Sequence, residues 1–186
     1  MEHDRNVKLV RSQLVEAYSK VMYTYETQQQ AENIKTARQN RISVAQISLT
    51  ALSSAGFIGV AVNHAYFAAL LSSALAVLSL GLNLYSRGAT LAEDATRHRA
   101  AADGLWPILQ DYISLLVDLD NMELAEIRAA RQKLQARTEE QYINAPRTDR
   151  RAYNRARKVL KFEEGQSFQK NECDQLLPIA LRSDNM

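Results

Sequence analysis

The first part of the chain carries apolar side chains at a spacing typical of one face of a helix. This N-terminal seam recurs at intervals of 3, 4, 4, 3 and 4 residues and consists of Val7, Val10, Leu14, Tyr18, Val21 and Tyr25. The near-heptad spacing predicts an amphipathic helix whose seam is covered either by another helix of this chain or by a neighbouring subunit. Residues 27–40 are polar but contain neither Gly nor Pro, so we expect the helix to continue into the next segment.

Residues 42–86 form a gap in the charge pattern, because none of these 45 residues is Asp, Glu, Lys or Arg. The two apolar halves, 42–62 and 65–86, flank an Asn63-His64 pair that is the only plausible turn. Each half, as a helix, would be about 30 Å long, the thickness of a bilayer's hydrocarbon core. The pattern predicts a transmembrane helical hairpin. The alternative is a buried hairpin in a soluble protein, but the other helices look too polar and too few to cover it.

Basic residues flank both predicted spans, whereas the connecting turn has no Lys or Arg. They are Lys35, Arg38 and Arg41 before the first span and Arg87, Arg97 and Arg99 after the second. Because cytoplasmic flanks of membrane helices are enriched in Lys and Arg, this asymmetry predicts a multi-pass protein with both termini in the cytoplasm. The predicted domains are a cytoplasmic juxtamembrane helix at 1–41, the hairpin at 42–86 and a cytoplasmic helical bundle at 87–186.

Polar side chains are aligned along one face of each predicted span. They recur at intervals of 3, 4 and 3 on the first span and, with Ala76 as a small member, of 4, 3 and 4 on the second. The candidate residues are Ser43, Gln46, Thr50, Ser53, Ser72, Ser79 and Asn83. Membrane helices use such residues to pack closely and to hydrogen-bond each other, which favours a role in helix packing. Alternatively, several hairpins assemble with these stripes facing a water-filled pore, weakly selective because no charged ring lines it.

The sequence after the hairpin predicts further helices and hence an all-α fold. We expect the second span to continue as a helix through residues 91–118, with Pro107 kinking it or starting a new segment. Trp106, next to this proline, is expected to anchor the core. Asp120 and Glu123 have the spacing of a capping box at the start of the next helix.

A basic helix is predicted near the C-terminus. Residues 145–147 are predicted to form a turn, after which the basic helix begins with Thr148 as its N-cap and ends at Gly165. A last short helix then leads to residues 175–182. Its candidate residues for contact with a partner or with lipid are Arg147, Arg150, Arg151, Arg155 and Lys158. They form either a solvated helix face, a patch near anionic cytoplasmic lipid, or a contact for nucleic acid, a nucleotide or an acidic partner.

No residues converge on an enzymatic or metal-binding pattern. With 23 Lys and Arg against 21 Asp and Glu, the net charge of +2 is too balanced to indicate nucleic-acid binding by itself. Asp94 and His98 lie one helical turn apart and could ligate a metal, although such a pair more often forms a surface hydrogen bond. Cys173 lies between Glu172 and Asp174, and acidic neighbours disfavour a reactive thiolate. We therefore expect neither an enzyme nor a cofactor.

Several segments carry a resemblance to a known family. They are the juxtamembrane helix, the two-span hairpin, HRAAADGLWPILQDYISLLVDL at 98–119, YINAPRTDRRAYNRARKVLK at 142–161 and QLLPIALR at 175–182. Over nearly its whole length the chain resembles the SLATT domain, a family of two-helix membrane effectors of prokaryotic conflict systems. Within that family it is similar to the subgroup encoded beside reverse transcriptases. The resemblance implies a bacterial inner-membrane protein without catalytic residues that forms a pore once a partner detects infection.

The functional prediction is therefore a membrane effector of an antiviral defence system, which forms an oligomeric pore or disrupts the inner membrane when activated and so causes abortive infection. Its expected partners are the lipid bilayer, further copies of itself, and a sensor such as a reverse transcriptase or a nucleotide-signal system. Direct nucleic-acid binding is not the expected role, although the basic helix at 147–161 could support it. The alternative function is a non-conducting membrane anchor or scaffold that recruits a cytoplasmic partner.

Overall fold

The computed structural model describes residues 2–63, 66–88, 90–163, 165–167 and 172–173. The regular secondary structure within these ranges is helical, as the predicted all-α fold class requires, and that prediction is confirmed. The elements are α1 (Glu2–Asn63), α2 (Tyr66–Gly88), α3 (Leu91–Asp118), a 3₁₀ turn (Leu119–Asn121), α4 (Leu124–Asn144) and α5 (Arg150–Phe162).

One helix, α1, joins the N-terminal seam to the first apolar half of the charge gap. It runs for 62 residues without interruption, so it is about 90 Å long at 1.5 Å per residue. Its sequence has neither Pro nor Gly before Gly56, so no strong helix breaker interrupts this long stretch. The predicted continuation of the N-terminal helix into the apolar segment is confirmed. The first part of α1 therefore belongs to a helical bundle, and its last part belongs to the hairpin with α2.

The N-terminal seam is covered by α3 and α4 of the same chain. One buried cluster contains Val10, Leu14, Val21 and Tyr25 of α1, Ala102, Leu105, Ile108, Leu109, Tyr112 and Leu115 of α3, Leu119, and Ile127 and Leu134 of α4. Burying one large apolar side chain in such a cluster contributes about 1.5–3 kcal/mol. The structure thus shows that helices of the same chain, rather than a neighbouring subunit, cover the N-terminal seam.

Helix α5 packs on α1 through two alanines. Ala152 and Ala156, one turn apart, are completely buried, and their small side chains let the two helix backbones approach closely. Beside them the ring of Tyr153 stacks on Tyr23, with ring centroids 6.3 Å apart. Helix α5 thus buries its alanine face against α1, and this position leaves the arginines on the outside.

The predicted continuation of the second span is wrong, and one of the two outcomes predicted at Pro107 is excluded. The second span does not continue as one helix, because α2 ends at Gly88 and α3 begins at Leu91; glycine is a poor helix former and favours a break there. No new segment starts at Pro107, which lies inside α3. A proline removes one backbone hydrogen bond from a helix, and the buried residues on both sides of it, Leu105 and Ile108, hold α3 together.

The capping box of α4 lies one turn later than predicted. The N-cap is Glu123, whose backbone N–H donates to Glu126 Oε2 at 3.2 Å, and both reciprocal bonds of the box are present. Asp120 instead belongs to the 3₁₀ turn that follows α3. The prediction missed this turn because its three residues carry no sequence signal that separates them from the end of a helix.

The basic helix begins one residue later than predicted and ends as expected. Its N-cap is Asp149 rather than Thr148, because the Asp149 carboxylate accepts a hydrogen bond from the Ala152 N–H at 2.8 Å. A carboxylate also interacts favourably with the positive end of the helix dipole. At the other end, the Gly165 N–H donates to the Val159 carbonyl at 3.2 Å. A Cβ at Gly165 would lie 2.3 Å from Val159 Cγ1, so the turn requires glycine.

Trp106 does not anchor the core as predicted, since its side chain is 46% exposed. Leu105 and Leu109, which are buried, occupy the core face of α3, and Trp106 lies about 100° further around the helix. Its ring contacts Tyr25 at the edge of the core, with centroids 5.6 Å apart. Of the predicted last short helix, which leads to residues 175–182, residues 172–173 are described and are helical, whereas residues 175–182 lie outside the described residues.

Candidate functional site

The two polar stripes of the charge gap face each other between α1 and α2. Hydrogen bonds between stripe residues and the opposite helix cross this interface. Gln46 Nε2 donates to the Leu82 carbonyl at 3.2 Å, the hydroxyls of Thr50 and Ser79 lie 3.2 Å apart, and Ser53 Oγ donates to the Ser72 carbonyl at 3.2 Å. As the residue numbers increase along α1, those of their partners on α2 decrease, so the two helices run antiparallel as a hairpin.

The stripes are mostly enclosed within the single chain. Ser53, Ser72 and Ser79 are buried, and Ser43 is half-buried. Gln46 is also half-buried, whereas Thr50 and Asn83 are exposed. Asn83 Nδ2 donates to the Ser79 carbonyl of its own helix at 3.1 Å. In one protomer, five of the candidate residues thus take part in contacts between α1 and α2, namely Gln46, Thr50, Ser53, Ser72 and Ser79. The choice between helix packing and pore lining stays a prediction.

The outer surface of the hairpin is apolar. Side chains more than half exposed there are Val44, Ile47, Leu52, Tyr66, Phe67, Leu70, Leu71, Val77, Leu78, Leu80 and Leu84. Within the described residues one stretch, Ala69–Asn121, which includes most of α2 and all of α3, contains a window long and apolar enough to cross a membrane, and 11% of that window is buried. A core helix of a soluble protein would be mostly buried, so this exposure favours contact with lipid. The prediction of two spans stays a prediction.

Basic residues at the base of the hairpin make specific contacts between helices. Lys35 Nζ of α1 donates to Asp94 Oδ2 of α3 at 2.8 Å. This hydrogen bond holds the pKa of the Asp94 carboxyl below its usual value, against a smaller opposing effect of burial. One turn further along α1, Arg38 donates to the Tyr85 hydroxyl of α2 and lies 6.0 Å from the centroid of its ring. Three helices are thus tied together where the hairpin meets the bundle.

A buried polar layer lies in the bundle next to these contacts. His98 Nδ1 of α3 is 2.6 Å from Gln28 Oε1 of α1, and Gln28 Nε2 donates to the Pro146 carbonyl in the turn before α5 at 3.0 Å. Burial lowers the pKa of His98, and the positive charge of Lys35 lowers it further. Both effects favour the neutral imidazole, which fits its hydrogen bond to a neutral amide.

The contacts of Asp94 and His98 differ from those of a metal site. Asp94 pairs with Lys35, whereas His98 is bonded to Gln28. In the part of the chain that the structure describes, no three His, Cys, Asp or Glu side chains are grouped so that they could hold a metal ion.

The sequence interpretation missed the buried polar layer, having treated residues 27–40 only as a polar continuation of α1. Glu26, Gln28 and Gln30 are nearly inaccessible to solvent, and Gln30 Nε2 donates to Glu26 Oε1 at 2.7 Å. The spacing offered a signal, because the seam of α1 continues from Tyr25 by three residues to Gln28. A buried amide there implies a hydrogen-bonding partner on the facing helix.

The candidate basic residues lie on the outer side of the bundle. Arg147, Arg150, Arg151, Arg155 and Lys158 are all exposed, and Lys158 forms an ion pair of 2.6 Å with Glu163. Tyr23 of α1 contacts this helix, and Gln28 of α1 contacts the turn before it. Gln28 is 14 residues before the first predicted span at Ile42, or about 20 Å along α1.

The comparison with protein families gave one match that covers most of the chain. The profile of the SMODS and SLOG-associating 2TM effector domain family 4 matches residues 10–172. Corresponding searches of curated proteins and of solved structures gave no match. The family is one of two-helix membrane effectors in conflict and defence systems, whereas the link to reverse transcriptases stays a prediction. The apolar exterior and the polar interface of the hairpin agree with this match, and we conclude that the chain belongs to the SLATT family of 2TM effector domains.

Proposed function

We propose that this membrane effector forms an oligomeric pore, or otherwise disrupts the bacterial inner membrane, when its cytoplasmic bundle receives a signal. In this proposal the hairpin crosses the membrane twice and both termini are cytoplasmic. The chain acts by assembly rather than by catalysis, and it binds no cofactor. Its signal comes from a sensor partner, for which a reverse transcriptase or a nucleotide-signal system is the expected class.

The observation that carries the proposal is the distribution of polarity in the hairpin. Leu70, Leu78 and their neighbours face outward, whereas the hydroxyls of Thr50, which is exposed, and of Ser79, which is buried, meet between α1 and α2. An interhelical hydrogen bond in a membrane contributes only about 0.6 kcal/mol. These hydroxyls can therefore exchange their partner within the chain for water or for a second hairpin at little cost, which a pore would require.

The bundle can act on this interface because α1 is continuous through both. A signal that moves α3 relative to α1 would change the contacts Lys35–Asp94 and Gln28–His98, and one that moves α5 would change the bond from Gln28 to the Pro146 carbonyl. Lys35 and Gln28 lie about 10 Å and about 20 Å along α1 from the predicted span. Such a signal shifts the equilibrium only if it binds the resting and the assembled states with different affinity.

Two serines of α2 give a matched test. Ser79 is buried at the interface with α1, whereas Ser73 is exposed and its hydroxyl donates to the Ala69 carbonyl of its own helix. In cells with the system activated, Ser79→Leu should abolish potassium efflux, because a bulky apolar side chain replaces a hydroxyl of the polar interface. Ser73→Leu should leave the efflux unchanged. Both variants are first shown to reach the membrane at the wild-type level, and efflux that persists in Ser79→Leu would contradict a polar-stripe pore.

The second candidate function is a non-conducting anchor that recruits a partner through α5. It is favoured by the exposed arginines of α5, a helix that contacts α1 at Tyr23 and, through the turn before it, at Gln28. These contacts lie about 20 Å or more along α1 from the predicted membrane boundary, beyond the Debye length of about 8 Å at physiological salt. That distance favours a soluble acidic partner over lipid. Reversing the charge of Arg150, Arg151 and Arg155 to Glu should then release the partner from the membrane fraction, with no ion flux in the wild type under any stimulus.

A further inference from the structure

A groove of about 380 Å³ on the bundle surface lies between α1 and α3. Its apolar lining includes Tyr18, Met22, Trp106, Leu109 and Ile113. Trp106 and Ile113 keep 46% and 41% of their surface exposed, and Val117, one turn further along α3, keeps 72%. Spacings of 7 and 4 residues place these three on one face of α3. An apolar strip therefore continues from the groove along the outside of the bundle.

The chain beyond α5 returns to this groove. The Gly165 N–H bonds back to the Val159 carbonyl at 3.2 Å, which turns the chain after the helix. Gln166 Nε2 then lies 3.4 Å from Glu26 Oε2 on α1 and donates to it. Gln166, Ser167 and Glu172 also line the groove. The C-terminal part of the chain is thus brought to the rim of the apolar strip.

We propose that the chain's own C-terminal segment, residues 176–181, docks along this groove and strip. The segment reads Leu-Leu-Pro-Ile-Ala-Leu, has no charge, and begins three residues after Cys173. Six extended residues span up to about 20 Å, and the strip from Trp106 to Val117 covers 11 residues of helix, or about 16 Å. The lengths match, and docking would cover apolar side chains that are otherwise in water. The proposal concerns the bundle alone and does not depend on pore formation.

The only tryptophan of the chain, Trp106, reports directly on this groove. In the full-length protein, Ile179→Asp should shift the Trp106 emission to longer wavelength and increase its quenching by acrylamide, because a charged side chain would leave the apolar strip. Ser183→Asp adds the same charge just outside the segment and should change neither. Circular dichroism confirms that both variants keep wild-type helicity. Unchanged emission and quenching in a folded Ile179→Asp protein would overturn the proposal.

A cross-linking experiment identifies which segment occupies the groove. Cys173→Ser removes the single native thiol, and Ile113→Cys with Leu177→Cys places one thiol in the strip and one in the segment. A short bifunctional thiol reagent should join them within one chain, seen as a faster-migrating monomer on a denaturing gel. A link that forms only between chains would show that a second copy occupies the groove. That result, or the absence of any link, would overturn the proposal.

Discussion

The bundle and the hairpin share the helix α1 but are held together by different contacts. In the bundle, Leu14 of α1 and Leu109 of α3 are fully buried in one apolar cluster. In the hairpin, α1 meets α2 through hydroxyl and amide groups such as those of Thr50 and Ser79, and large apolar side chains such as Leu70 remain outside. Burial of one leucine from water contributes about 1.5–3 kcal/mol, whereas a hydrogen bond between membrane helices contributes about 0.6 kcal/mol.

This difference gives one helix a firmly packed end and a weakly held end. The packed end keeps α3 in place, and through Lys35 and Gln28 it is connected to the polar layer beneath the hairpin. The weak end can change partners without unfolding. We infer that the division suits an effector whose membrane part reorganises while its cytoplasmic part stays folded.

The largest expected effect is on the stability of the bundle, and it compares one leucine substitution in the bundle with one in the hairpin. Leu109→Ala should destabilise the bundle by about 2–5 kcal/mol, because it removes a fully buried side chain and leaves a cavity. Leu70→Ala, on the exposed face of α2, should leave bundle stability nearly unchanged. Denaturant titration in mild detergent, followed by Trp106 fluorescence, measures both. Equal effects of the two substitutions would contradict the proposed difference between the regions.

A smaller effect is expected where α5 meets α1. Ala156→Leu should cost about 1–3 kcal/mol, since no space exists for the added carbons at a position with no exposure. Asn154→Leu, two residues earlier and exposed, is the control for added apolar bulk on α5. The same titration compares the two variants. If both were equally stable, close packing of α5 on α1 would be disproved.

The buried imidazole makes bundle stability depend on pH. The pKa of His98 is lowered in the folded chain by burial and by Lys35, so the unfolded chain binds a proton at a higher pH than the folded chain does. Stability should therefore fall as the pH drops below the ordinary histidine value of about 6.5. His98→Gln should flatten this dependence between pH 5 and 7.5, and identical profiles would show that His98 is not responsible.

The lowered pKa of Asp94 affects stability in a separate, lower pH range, so its contribution is lost only in more acidic solution.

The smallest expected effect tests the polar interface itself. A double-mutant cycle with Thr50→Val and Ser79→Ala should give a coupling energy of about 0.6 kcal/mol for their hydroxyl contact. Ser73→Ala in place of Ser79→Ala should give no coupling, because Ser73 bonds within its own helix. Reversible unfolding in detergent micelles supplies the energies. A coupling of several kcal/mol would mean that the interface is too strong to exchange partners readily.

Much of the fold follows from local spacing. The seam from Val7 to Tyr25 and the charge gap at 42–86 predicted the helices, since both depend on side-chain type and period alone. The polar stripes were also visible in the sequence, and the structure brings Thr50 opposite Ser79. The spacing could not show which element packs against each helix face. Whether α3 or another subunit covered the seam depended on how the helices are arranged in space.

The errors arose where a local signal competed with packing. Pro107 is a helix breaker by sequence, but the buried residues around it keep α3 intact. Trp106 was assigned to the core from its residue type, whereas its position on the helix places it at the rim. The layer of Glu26, Gln28 and Gln30 was missed because buried amides resemble exposed ones until the facing helix is known.

The most direct test of the central claim is the membrane potential of cells that express the chain with its presumed sensor partner present and active. The account predicts rapid depolarisation on activation, and none when the partner is absent. An unchanged potential, with the protein in the membrane and the partner shown to be active, would contradict pore formation and favour the non-conducting anchor.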